Sequence, residues 1–87
     1  MPIIAVFLGI IIKIFHEDHP PPHVHVQYGE YEAVVEIKTG DIMKGKLPKR
    51  VRQIVRNWVK NKQFELRRAW QVAQENKIPK KIEGPEK

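Results

Sequence analysis

The sequence predicts an α+β fold, in which a small, mainly antiparallel sheet of four or five strands packs against a long carboxy-terminal helix. Three observations carry this: apolar residues alternate with a period of two in the first half, they recur at spacings of three and four in the second, and turn residues separate the short runs. With 87 residues there is room for one hydrophobic core. Residues 1–76 are therefore expected to form a single domain and 77–87 a flexible tail that frays from Pro79.

Ile10, Ile12 and Ile14 share one face of a strand expected over 9–15, with Lys13 on the other. Residues 3–7 form a shorter apolar piece, and Gly9 permits a bend or bulge between the two. A loop must follow over 16–22, because Pro20, Pro21 and Pro22 hold φ at about −65° and remove three backbone donors. Strands over His23–Tyr28 and Tyr31–Lys38 come next, joined by Gly29-Glu30, which suits a type II′ turn. Thr39-Gly40-Asp41 marks another turn and leaves 42–46 for a short last strand.

Beyond Pro48, which suits a first helical turn, Val51, Ile54, Val55, Trp58 and Val59 form an apolar stripe that continues in phase through Leu66, Ala69, Trp70 and Ala73. One helix over 49–75 is the simplest expectation. A kink near Asn61 is its rival, since Asn is a good cap and Phe64 falls off the stripe. An unbroken helix of this length would run about 40 Å, against about 20 Å for a six-residue strand. The excess stripe points to self-association as a homodimer through Trp58, Leu66, Trp70 or Ala73, although a tilted helix or the tail with Ile78 and Ile82 could cover it as well.

A hydrophobic content of 41% and a charged content of 30% argue against a disordered chain. The absence of cysteine removes any disulfide framework or thiolate metal site and suits a cytoplasmic setting. The apolar run from Met1 to Ile12 has no basic start, and Lys13 ends it short of a membrane span, so no membrane partner is expected. Net charge is +6, unevenly divided: residues 1–41 hold two lysines against six acids, while 42–87 hold fourteen basic residues against four acids. The second half thus calls for an anionic partner, nucleic acid or a small acidic protein, unless its charge serves only solubility. Lys49, Arg52, Arg56 and Lys60, three or four apart and opposite the apolar stripe, are the candidate nucleic-acid contacts.

All four histidines, His16, His19, His23 and His25, lie within ten residues, accompanied by Glu17 and Asp18. His23 and His25 are two apart on a strand, so their rings share a face, and the stiff proline link brings His19 within range. His19, His23 and His25 are the candidate ligands for zinc or another divalent metal. The same three, with Asp18, are the candidate catalytic groups if the site works as an acid and base without metal. A structural role competes with both: Asp18 capping the turn, His19 bonded to backbone beside the prolines, and His23 and His25 exposed on the strand.

The stretch Asp18-His19-Pro20-Pro21-Pro22-His23-Val24-His25 resembles the D-H-x-P-P-H-x-H signature of a bacterial and archaeal family, domain of unknown function 4160. Met1-Pro2, Gly9-Ile10, Gly45-Lys46-Leu47-Pro48 and the paired Trp58 and Trp70 are similar to that family too, so the resemblance runs from Met1 to about Gln74. It implies a domain boundary and carries over no activity. Members are often encoded beside another small domain, an arrangement that implies a toxin–antitoxin-type pair or a small regulator. Two readings follow. The first is a non-enzymatic binding protein that contacts nucleic acid or a partner protein through the basic helix. The second is a small histidine-based hydrolase or ribonuclease; the first is favoured because a small sheet offers little concavity for a substrate.

Overall fold

A computed structural model describes residues 2–16 and 18–85. Glu17 lies outside them, as do Met1 and the last two residues of the tail. Five strands, β1 (Ile3–Phe7), β2 (Ile10–Lys13), β3 (His23–Tyr28), β4 (Tyr31–Glu36) and β5 (Ile42–Gly45), precede two helices, α1 (Lys49–Asn61) and α2 (Gln63–Gln74). The sheet is an antiparallel meander in the order β1-β2-β3-β4-β5.

Gly9 does more than bend a strand. Leu8 and Gly9 both take positive φ, +52° and +78°, the requirement of a two-residue type I′ turn, and the chain reverses into a hairpin pairing Phe7 with Ile10. The register irregularity lies between Ile3 and Ala5. At the far edge Gly45, at φ +82°, could carry no side chain, because a Cβ there would lie 2.2 Å from the Glu32 carbonyl oxygen.

Period-two alternation sorts the sheet into two faces. Ile10, Ile12 and Ile14, Val24 and Val26, and Ala33 and Val35 are all buried in one core with Val51, Val55, Trp58, Val59, Leu66, Ala69 and Ala73 of the helices. Each fully buried valine or leucine in that layer contributes about 1.5–3 kcal/mol of transfer free energy. Lys13, His25 and Val34 belong to the other face.

The expected single helix is two. At Lys62 the backbone leaves the helical region (φ −109°, ψ 29°), and the Gln63 side-chain amide donates to the carbonyls of Ile37 and Val59, tying the break to the residue that follows β4. An unbroken helix of about 40 Å would overrun a domain whose longest extent is 33 Å. The break near Asn61 lets Leu66, Ala69 and Ala73 of the second half reach the same core as Val51 to Val59 of the first. The length argument for a dimer therefore loses its premise. Phe64, off the stripe, is 76% exposed.

Asn76, at φ +61°, ends α2 in a Schellman arrangement, with Asn76 N–H donating to Ala73 O and Lys77 N–H to Val72 O. Where fraying is expected from Pro79, the described segment docks. Ile82 is buried and its N–H donates to Ile4 O, Trp58 Nε1–H donates to Glu83 O at 2.8 Å, and Gly84 sits against Phe7.

Because Leu66 is fully buried and Phe64 is not, Leu66→Ala is expected to cost about 2–5 kcal/mol and Phe64→Ala no more than about 0.5 kcal/mol. Urea unfolding of the two variants checks this; equal losses would refute the burial of Leu66 and the exposure of Phe64.

Candidate functional site

Burial of Val24 and Val26 leaves His23 and His25 on the opposite side of β3, with ring centroids 5.2 Å apart. The loop from β2 brings Asp18 between them. One carboxylate oxygen, Asp18 Oδ2, lies 2.7 Å from His23 Nε2 and 3.2 Å from His25 Nε2. The other oxygen accepts the His19 backbone N–H at 2.9 Å, and Gln74 of α2 donates its side-chain amide to the Asp18 carbonyl at 2.9 Å. Both ends of the loop residue are thus held.

His23 is buried, and its second ring nitrogen, Nδ1, lies 2.8 Å from Pro21 O. Trp70 of α2 packs on it with ring centroids 5.2 Å apart. His25 is more open and stacks on Phe15 at 3.9 Å, nearly parallel at 11°. Burial pushes the Asp18 carboxyl up, but the hydrogen bonds from His25, the His19 N–H and His23, with the His23 charge, outweigh it and hold the group below its ordinary value.

The cluster is therefore Asp18, His23 and His25, and His19 does not join it. The ring of His19 is exposed, because the Asp18 side chain turns inward and the next residue on the loop faces out. The division of roles also differs from expectation: His23 is buried and tethered to backbone, whereas His19 is the free one. His16 lies elsewhere, in a hollow with Pro2, Ile3 and Pro79. Its Nδ1 is buried without a hydrogen-bond partner among the described residues.

His25 opens onto a groove of about 410 Å³ on the helix-free face of the sheet, lined also by Lys13, Gln27, Glu32, Val34 and Lys44. Strand register sets Lys13, His25, Val34 and Lys44 in one row across four strands. Adjacent strands lie about 4.8 Å apart, so Lys13 is one strand from His25 and Lys44 two. Sequence reasoning missed this row, although period two already put Lys13 on the face opposite Ile12.

Lys49, Arg52, Arg56 and Lys60 are all exposed along α1. Arg56 Nη1 pairs with Asp41 Oδ1 at 3.0 Å, both groups half exposed, which is worth little in water. The first turn of α1 holds no acid, so Lys49 and Arg50 sit at the positive end of its dipole.

A family model described as a domain of unknown function, DUF4160, matches residues 9–71. The chain belongs to the DUF4160 family. Its match in this DUF4160 domain runs from the first hairpin turn to the last turn of α2 and contains the whole Asp18-His23-His25 cluster. Comparison with curated proteins and with solved structures found no match. Among the described residues of the DUF4160 chain, no helix is long and apolar enough to cross a membrane.

The tethering of His23 on two sides predicts that His23→Ala costs about 1–3 kcal/mol, from lost packing and the loss of one of the partners of the Asp18 carboxylate. His19→Ala should leave stability within about 0.5 kcal/mol of wild type. Thermal unfolding of both distinguishes them, and a larger loss for His19→Ala would show that the exposed ring is the structural one.

Proposed function

We propose that the protein is a small hydrolase of phosphodiesters, with RNA as the natural class of substrate and Asp18, His23 and His25 as its working site. One observation carries this reading: His25, bridged to His23 by the Asp18 carboxylate, lines a groove that also holds Lys13 and Lys44 in the same row across the sheet. A groove of about 410 Å³ removes the objection that so small a sheet lacks concavity. The lysines face the charge of a phosphodiester, and that charge grows on its oxygens during attack. A water oxygen adds to phosphorus and its proton passes to the cluster. The bond to the leaving oxygen breaks and that oxygen takes up a proton, so one water is consumed per ester. Glu32, also in the groove, disfavours a substrate lying across its far end.

A fluorogenic single-stranded RNA, assayed with and without added zinc, tests the reading. Cleavage by the wild type, a loss of about 100-fold or more in kcat for Asp18→Asn and His25→Ala, and a raised KM with little change in kcat for Lys13→Ala are expected. An Asp18→Asn protein as fast as wild type would end the proposal.

The exposed basic face of α1 favours a second reading, a nucleic-acid-binding protein acting as a regulator or a toxin–antitoxin-type partner. Among the described residues, Arg56 alone of Lys49, Arg52, Arg56 and Lys60 has an ion-pair partner. Replacing Lys49 and Arg52 by Glu should weaken RNA binding and lower the slope of log affinity against log salt by about 1.4 to 1.8. A wild-type protein that fails to bind RNA or DNA at low salt would dispose of this second reading.

A further inference from the structure

We infer that Asp18, His23 and His25 bind one divalent first-row transition cation of the zinc type, through Asp18 Oδ2 and the Nε2 atoms of the two histidines. The inference deepens the hydrolase reading, resting on the same site and naming its cofactor.

The ring of His23 supplies the first argument. Both of its nitrogens face acceptors, Pro21 O at 2.8 Å from Nδ1 and Asp18 Oδ2 at 2.7 Å from Nε2. A neutral imidazole has a single N–H, and the carbonyl can only accept. A doubly protonated ring serves both acceptors; with the proton on Nδ1 alone, the Nε2 lone pair confronts a carboxylate lone pair, and a cation between them removes that clash. A single extra proton would serve that one contact. His25 Nε2, however, converges on the same oxygen at 3.2 Å, so two imidazole nitrogens and a carboxylate surround one point.

Geometry agrees. A tetrahedral centre with ligands at about 2.0–2.1 Å spaces its donor atoms about 3.3 Å apart. Here the three ligand atoms lie within 4.8 Å of one another. The His25 contact to Oδ2, at 3.2 Å, already matches that spacing, whereas the His23 contact, at 2.7 Å, has to open by about 0.6 Å and the two imidazole nitrogens have to settle at the same separation. An Nδ1–H donated to a backbone carbonyl, with Nε2 left for the metal, is the usual way a ligating histidine is oriented. Phe15, stacked on His25, fixes the second ring.

The donor set selects the ion. Two imidazoles and one carboxylate suit zinc and its neighbours, while magnesium and calcium prefer all-oxygen shells. Three protein ligands leave a coordination position for water, and side-chain exposures of 23% for Asp18 and 27% for His25 give solvent access to it.

The test uses the full chain, purified without an affinity tag, stripped with EDTA and titrated calorimetrically with zinc chloride. One zinc per chain and a higher melting temperature with zinc are expected. Asp18→Asn and His25→Ala, chosen because both side chains are partly open, should weaken binding about 100-fold or more, whereas His19→Ala should bind as wild type. Cobalt added to the wild type provides a readout free of any folding defect: a low-coordinate visible spectrum supports the site, and a spectrum identical to aqueous cobalt overturns it. Absence of saturable zinc binding, or binding lost in His19→Ala and kept in Asp18→Asn, also overturns it. Zinc bound without RNA cleavage upholds the cation and ends the hydrolase reading. RNA cleavage undiminished in EDTA, with no zinc bound, does the reverse.

Discussion

Burial of Val24 and Val26 under the two helices is the constraint on which the arrangement of the site depends. In a strand, successive side chains alternate sides, so a one-residue slip of β3 would exchange valines for histidines in the core. The penalty for placing two imidazoles against Trp58 and Leu66, with no partners for their ring nitrogens, makes that register inaccessible. Hydrophobic packing on one side of β3 thus holds His23 and His25 in place on the other. The strand pairing then carries the phase outward, setting Lys13 and Lys44 in the same row as His25.

The helical layer shows the same economy. A domain this small cannot cover a single helix of about 40 Å with strands of four to six residues, and the break at Lys62 resolves the mismatch within one chain. Gln63 makes the break specific by bonding the last carbonyl region of the β4 edge, at Ile37, and a carbonyl of α1, at Val59. Redirected in this way, α2 reaches the histidine loop, where Trp70 packs on His23 and Gln74 holds the Asp18 carbonyl. The tail docks on β1 and α1 through the Ile82 to Ile4 and Trp58 to Glu83 hydrogen bonds. Fold and site are coupled through α2.

Energetically the cluster sits between core and solvent. Asp18 loses hydration, which by itself raises its affinity for a proton, yet three donors reverse the balance. The basic face of α1 has the opposite character, with charges held apart in water and little engaged by the protein itself.

Much of the fold was legible in the chain because its signals are local. Alternation identified Ile10, Ile12 and Ile14 as core and Lys13 as outward, the proline run announced a loop, and the three-four spacing marked Val51 to Ala73 as helical. The pairing of His23 with His25 on one face followed from period two alone. What only the tertiary structure decided depends on contacts distant in sequence. The helix ends near Asn61 because the β4 terminus offers Gln63 a carbonyl, and the tail docks because Ile4 and Trp58 present partners to it. Asp18 in place of His19 completes the cluster because Gln74, 56 residues away, holds the loop with that carboxylate turned inward. Residue spacing encodes which face a side chain takes within its own element. It does not encode where another element's face will meet it, and that meeting is set by the packing of the whole core.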